Sequence, residues 1–267
     1  MSFKCQEILQ KNHYDKLADD YKRHYMDAWS IRYRERFIDQ VLCEGLDLTQ
    51  HSVLDAMCGP GQFTHYLLRR WPNACVTGLD ISPETLVHYT QSHPSTSVVA
   101  RSFLDNGFQD CSFDNIFIIG GLHHLQPHID IAIKEVARLL RPGGVFAFCE
   151  PHTAGCLEPL RKLWYGQDSM FEKNESAIDL EGLKKRFDSK FEFMKEWYGG
   201  NIAYFPIYNS LVLRVPLWLK GIIAPPLLAL EGVIQPIQGK WLSVYVVCQW
   251  RKRILESADR DPIICVD

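Results

Sequence analysis

The sequence predicts an α/β fold built on a parallel, doubly wound sheet, and three observations carry that prediction. Apolar runs of strand length alternate with amphipathic segments of helix length from about residue 50 to about residue 150. The inner runs, FDNIFIIG above all, are apolar almost throughout, as strands covered on both faces are. The first strand runs straight into a glycine-and-proline turn, CGPG, ahead of a helix. At 267 residues the chain suits one large domain, or one domain carrying a sizeable insertion.

The elements follow in order. Leu9, Tyr14, Leu17 and Tyr21, then Phe37, Val41 and Leu42, recur at helical spacing, so residues 1–45 read as an N-terminal helical segment. The first strand is Ser52 to Met57, and helix Gln62 to Arg70 is closed by Trp71-Pro72. CVTGLD is the second strand, ending at Asp80. Ser82-Pro83-Glu84 then supplies an N-cap serine with proline at the first helical position. Ser97 to Phe103 and Phe113 to Ile119 are the third and fourth strands. Helix Pro127 to Leu140 carries Ile129, Ile133, Val136, Ala137 and Leu140 on one stripe, and Arg141-Pro142-Gly143-Gly144 breaks it before the fifth strand, VFAFCE.

After Glu150 the rhythm changes. Residues 178–188 read as a helix, and Phe191 to Tyr198 and Trp241 to Trp250 as two further strands around an apolar insertion at 201–240. The expected division is 1–45 helical, 46–200 core, 201–240 insertion, and 241–267 last core strand with the C-terminal tail.

Composition narrows the function classes. Apolar residues make up 46% and charged residues 23%, the balance of a soluble globular protein. A net charge of −3 leaves no broad basic field for nucleic acid. Nine cysteines show no C-x-x-C pair and no His/Cys cluster at zinc spacing, so no metal site is expected. The start MSFKCQEILQ lacks the apolar stretch of a signal peptide. The expectation is a cytoplasmic protein with reduced thiols, in which Cys75, Cys149 and Cys248 are small core residues.

The turn points to a ligand. In an open parallel sheet, ligands sit beyond the carboxyl ends of the strands, where Asp55, Gly59 and Gly61 fall. Glycines let the backbone approach a ligand closely and leave N–H groups facing it. Asp80 follows at the spacing of about 20 residues from which a carboxylate can take both ribose hydroxyls. A nucleoside cofactor is therefore expected. A dinucleotide site would want G-x-G-x-x-G, but Thr64 stands at the third glycine, which disfavours an NAD-type oxidoreductase without removing it.

LDAMCGPGQFT, VTGLDISPETL, FDNIFIIGGLHHL and EVARLLRPGGVFAFCEP, in this order over about residues 10–150, together resemble the class I S-adenosylmethionine-dependent methyltransferases, in particular their small-molecule branch. The resemblance implies a Rossmann-like sheet of seven strands, the last antiparallel. It implies S-adenosylmethionine as cofactor, with Gly59 and Gly61 at its amino-acid part and Asp55 ordering its amino group. Asp80 would take the ribose, with Ile81 against the adenine and a Gly120 carbonyl nearby. Tyr14 would fold over the cofactor as a lid. Two positions depart from the family pattern. Met57 stands where the first loop glycine belongs. Ungapped alignment puts Ser102 where the family has its adenine-reading Asp, with Phe103 then near the ring; a small gap would put Asp105 there instead.

A sulfonium methyl is already electrophilic, so the protein must supply alignment, a dry pocket and sometimes a base. The base candidates are His123, His124, Glu150 and His152, all at strand ends. The histidine pair and Glu150 also have structural readings, since LHHL recurs across the family and a carboxylate there could bond backbone amides. Tyr25, Trp29, Tyr204 and Tyr208 are the candidate acceptor-contacting residues. Within 201–240, the stretch Leu211 to Ile234 is strongly apolar, interrupted by Arg214, Lys220 and Glu231, and Pro225-Pro226 argues against a membrane-spanning helix. It reads as a lid over an apolar acceptor, a homodimer interface or a peripheral membrane contact. The functional expectation is methyl transfer to a small hydrophobic metabolite, to oxygen first, with carbon and nitrogen open. A non-catalytic S-adenosylmethionine-binding protein is the rival that Met57 keeps in view.

Overall fold

Alternation along each strand puts successive side chains into two different buried layers, and that alternation builds the sheet. The computed structural model describes residues 24–126, 128–155, 177–211 and 213–254. Its strands are β1 Ser52–Ala56, β2 Cys75–Asp80, β3 Ser97–Ala100, β4 Phe113–Ile119, β5 Leu140–Pro151, β6 Phe191–Gly199 and β7 Tyr245–Lys252. They form one sheet of seven in the order β3-β2-β1-β4-β5-β7-β6. The pairs from β3 to β5 are parallel, and β7 runs antiparallel between β5 and β6. The expected doubly wound, Rossmann-like sheet with an antiparallel last strand is what forms.

Leu54, Ile116, Ile118, Phe146, Phe148 and Trp250 face one layer. Their strand neighbours Val53, Phe117, Ala147, Cys149 and Val247 face the other. Helices α4 (Ile129–Leu139) and α5 (Leu180–Phe187) cover the first layer. The second is covered by α1 (Ala28–Arg34, continued through a π-turn at Glu35–Asp39 to Leu42), α2 (Gln62–Arg70) and α6 (Leu217–Ile234). Helix α3 (Pro83–Ser92) packs Leu86 and Tyr89 beside Cys58. Asp27 caps α1 by accepting from the amides of Trp29 and Ser30, and Ser82 caps α3 by accepting from Thr85.

Four expectations shift. β3 stops at Ala100, because Ser102 accepts from Leu104 N and folds Phe103–Asp105 into a 3₁₀ turn. β5 begins at Leu140, since Arg141–Gly144 forms an irregularity within the strand where a break before it was expected. Cys75, at the head of β2, is exposed, whereas Cys149 and Cys248 are buried as expected. The fourth is the last strand, which begins at Tyr245 and not at Trp241, because Lys240–Leu242 forms a 3₁₀ turn. The insertion contains a long helix. Pro225 and Pro226 do not break it: α6 runs from Leu217 to Ile234 through both. The two carbonyls left without a helical donor belong to Gly221 and Ile222, both on the exposed side of the helix.

Two buried charges pin α6 to the rest of the molecule. Lys220, fully buried, donates to Asp27 at 2.5 Å, to Ser30 at 2.6 Å and to Ser210 at 2.9 Å. Burial pulls its ammonium below the ordinary lysine value, and Asp27 opposes that shift. Glu231, three turns on, accepts from the Tyr33 hydroxyl and from the amides of Asn201 and Ala203. Replacing Lys220 by Ala strands Asp27 without its cation, and a urea titration should show a loss of about 3–5 kcal/mol. A loss below ~1 kcal/mol would mean that the pair does not anchor the helix.

Candidate functional site

The site lies along the carboxyl ends of β1, β2, β4 and β5, where the chain leaves the sheet in left-handed turns. Met57, Gly59 and Gly61 after β1, and Gly120 after β4, all have positive φ, at 57°, 53°, 87° and 66°. A Cβ on Gly59 or Gly120 would meet nothing within 4 Å, so both backbones border open space, as a cradle for a ligand requires. Asp80 faces this cradle from the end of β2. Its Oδ2 accepts from Gly59 N at 2.9 Å and its Oδ1 from Ser82 N at 2.9 Å, which fixes the carboxylate at the rim. Ile81 follows, half-buried. This donor set and open backbone fit a nucleoside bearing an amino-acid tail.

Met57 keeps the left-handed backbone that its glycine-type position demands, at a cost of roughly 1–2 kcal/mol for a residue with a Cβ. Its side chain folds over Gly121, where an added Cβ would clash with the sulfur, and so lies between the ends of β1 and β4. There it packs against the core layer that includes Ile118 and Leu122.

Two residues expected at the cofactor sit elsewhere. Asp55 is 3% exposed, and its Oδ2 accepts from Thr64 N at 3.1 Å and Thr64 Oγ1 at 2.7 Å. It therefore holds the first turn of α2 and does not face the cradle. Burial pushes its carboxyl up to about 7, against the pull of the Thr64 hydrogen bonds and Arg34. Phe103 is 3% exposed and packs in the core layer with α4, so its ring presents no face for stacking. Ser102 is half-buried and caps the Phe103–Asp105 turn, and Asp105 is exposed. Tyr14 lies outside the described residues.

Glu150 organises the far side. It is fully buried at the end of β5, and its Oε1 accepts from Gly121 N at 2.8 Å and Leu122 N at 2.7 Å. Its Oε2 takes His123 Nδ1 at 2.7 Å. The carboxylate thus closes the start of the 3₁₀ turn Leu122–Leu125 and orients the imidazole through Nδ1. Glu150 is a positioning group, too enclosed to touch an acceptor. His124 lies beside His123 with ring centroids 3.9 Å apart. His152 is buried, its Nε2 on Ser243 Oγ at 2.7 Å and its Nδ1 accepting from Ala154 N. With both nitrogens taken it braces the end of β5 and drops out as a base.

The acceptor candidates partly converge. Tyr25, Tyr204 and Tyr208 gather around Tyr33: Tyr208 stacks on Tyr33 at 5.4 Å and meets Tyr25 at 5.5 Å and Tyr204 at 5.7 Å. Trp29 stands apart, its indole nitrogen beside Gly221 of α6. Tyr33, which sequence reasoning missed, is the hub of this cluster. Its only signal was helical spacing to Phe37. The cluster is tied to the glycine turn, because Gln62, the first residue of α2, donates to Tyr25 O at 2.9 Å and accepts from Arg34 Nη1 at 2.6 Å. A cavity of about 200 Å³ opens beside the turn, lined by Met26, Ile31, Arg34, Gly61, Gln62 and His93 among others. Among the described residues no cluster of three His, Cys, Asp or Glu side chains has metal-site geometry.

Comparison with known proteins identifies this arrangement. Residues 53–144 match the methyltransferase domain family. The fold, together with this match, places the core of the chain in the class I, S-adenosylmethionine-dependent methyltransferases, and S-adenosylmethionine is the cofactor of that class. A probable phthiotriol/phenolphthiotriol dimycocerosates methyltransferase of Mycobacterium ulcerans is 35% identical over 106 residues, 39% of this chain and 41% of the relative. A trans-aconitate 2-methyltransferase of Escherichia coli O157:H7 is 33% identical over 166 residues, 62% of this chain and 58% of the relative. The chain spans about half the length of the curated relatives it matches. The N-methyltransferase NodS of Bradyrhizobium japonicum, solved with S-adenosyl-L-homocysteine, superposes with a TM-score of 0.56 over 90% of this chain and 98% of that one, at 16% identity. The dinucleotide alternative falls with this assignment.

Two measurements check the site. Asp80→Ala should raise the S-adenosylmethionine dissociation constant by about tenfold or more in calorimetry, since two hydrogen bonds to a charged group are lost. An unchanged constant would remove Asp80 from the rim. Asp55 has a folded-state pKa raised above its unfolded value of 3.8, so its contribution to stability is complete below that value and is lost as the pH rises through about 7. Between about pH 5 and 8, Asp55→Asn should therefore lose less melting temperature than the native chain. Parallel melting curves would refute this.

Proposed function

We propose that the protein transfers a methyl group from S-adenosylmethionine to a small apolar acceptor, at oxygen. The observation that carries the oxygen assignment is the His123 imidazole, three residues beyond Gly120 and held through Nδ1 by the buried Glu150 carboxylate. An acceptor hydroxyl or phenol must lose its proton, and a carboxylate-oriented imidazole is the ordinary group to receive it. When bound, S-adenosylmethionine supplies the electrophilic methyl.

The chain's own part is alignment and proton handling. Gly59, Gly120 and Asp80 hold the cofactor's position, and alignment alone is worth about 7–11 kcal/mol of barrier. The aromatic cluster of Tyr25, Tyr33, Tyr204 and Tyr208, joined to the glycine turn through Gln62, supports an apolar acceptor. The relatives differ in the acceptors their names give, so the apolar assignment rests on this cluster and the neighbouring insertion. Carbon and nitrogen acceptors remain the alternatives within the class. Met57, a residue with a side chain where the family has its first loop glycine, keeps open a second reading in which the cofactor binds without turnover.

Incubation with methyl-labelled S-adenosylmethionine and matched apolar alcohols, phenols, fatty acids and amines separates these readings. Transfer to oxygen acceptors supports the proposal, and cofactor binding with no transfer to any class supports the second reading. With an accepted substrate, His123→Ala should lower kcat by about 10²–10⁴ while leaving the cofactor dissociation constant unchanged. Unchanged turnover would remove His123 from the mechanism.

A further inference from the structure

Helix α6 is built inside out. On an ordinary surface helix the charged side chains face water and the apolar stripe faces the core. Here the two charges point inward, Lys220 at 0% and Glu231 at 1% exposure, while Trp218 is 71%, Ile222 64% and Val233 69% exposed. Beyond the helix the same surface continues through Ile237 and Trp241. The exposed residues between Leu217 and Ile237 are Leu, Trp, Gly, Ile, Pro, Ala and Val, and the tryptophan indole is their sole side-chain hydrogen-bonding group.

We propose that this face docks the protein on an anionic lipid surface, with α6 lying in the headgroup plane. Three observations favour lipid over a protein partner. A specific protein interface carries about one hydrogen bond per 100–200 Å². This face offers almost nothing to make them, and a hydrocarbon boundary needs none. Tryptophans stand at both ends, Trp218 and Trp241, where amphipathic rings settle at the membrane–water interface. The border along α1 is basic. The Arg36 guanidinium rests against Gly232, and the exposed Arg32 lies 5.9 Å from the Trp29 ring beside Gly221. The nearby carboxylates are engaged, Asp27 by Lys220, Glu35 by Arg69 and Glu231 by Tyr33, so the border presents positive charge to phosphate headgroups.

The helix lies on the membrane and does not cross it. Leu217–Ile237 is long and apolar enough to span one, with a mean hydropathy of 1.6. Yet spanning would pull Lys220 and Glu231 away from Asp27, Ser30, Ser210 and Tyr33. An amphipathic helix that rests on a bilayer needs a polar side, and here the protein body is that side.

Flotation of the full chain with vesicles, in the absence of cofactor and acceptor, tests this independently of methyl transfer. The chain should float with phosphatidylcholine vesicles containing about 30% phosphatidylserine, and bind about tenfold more weakly to pure phosphatidylcholine or in about 0.5 M salt. The double variant I222E/V233E changes exposed positions only. It should lose vesicle binding by about tenfold or more with an unchanged melting curve. R32E/R36E should lose the preference for anionic vesicles, and W218S read by the same flotation is the second test of the face should the glutamate variant not fold. A native chain that stays with the aqueous fraction in every vesicle mixture overturns the proposal. So does a dimer in light scattering that I222E/V233E dissociates while vesicle binding is absent, which would assign the face to a second copy of the chain.

Discussion

A carboxylate at the end of a strand, accepting the backbone N–H groups of a turn, is the interaction on which the working edge of this molecule depends. It occurs three times among the described residues. Asp55 at the end of β1 takes Thr64, Asp80 at the end of β2 takes Gly59 and Ser82, and Glu150 at the end of β5 takes Gly121 and Leu122. Each such turn exposes amides that no ladder satisfies, and an unsatisfied buried amide costs about 1–3 kcal/mol. A charged acceptor forms shorter and stronger bonds to them than a neutral one. The acids therefore shape the loops first, and only Asp80, at the rim, remains placed to meet a ligand as well.

The same edge is tied to the insertion through a short relay. Gln62 joins the glycine turn to Tyr25 and Arg34, Tyr33 joins α1 to Glu231, and Lys220 joins α6 back to Asp27. The tyrosine cluster, the glycine turn and α6 are thus one hydrogen-bonded assembly.

Much of this was legible in the chain because the signals were local. Continuous apolar runs marked the buried strands, β2 and β4 at their observed ends, and Ser82-Pro83 marked the start of α3. The glycine turn and Asp80 could be read because their spacing reflects a strand, a helix and a strand of ordinary length. What could not be read depends on distant partners. Asp55 looked like a ligand-facing acid and Glu150 could be read either as a base or as a partner of backbone amides, and only Thr64 and the amides after β4 reveal what they hold. Lys220 and Glu231 looked like interruptions in an apolar stretch, yet each is buried against residues nearly 200 positions away. Pro225-Pro226 spoke against a membrane-spanning helix but did not reveal that a helix runs through both, its two freed carbonyls facing outward.

The antiparallel placement of β7 has a consequence for how the chain is made. Among the described residues β6 has a single neighbour, β7, and β7 follows the other six strands in chain order. While the ribosome completes the insertion, the outer rims of both β5 and β6 remain bare, with the Phe146–Phe148 and Phe191–Phe193 side chains lacking the Trp250 ring that finally seals them. Such open rims invite pairing with a neighbouring nascent chain. The final strand enters as a wedge between two waiting edges, so this half of the sheet closes only after the chain has passed through the whole insertion.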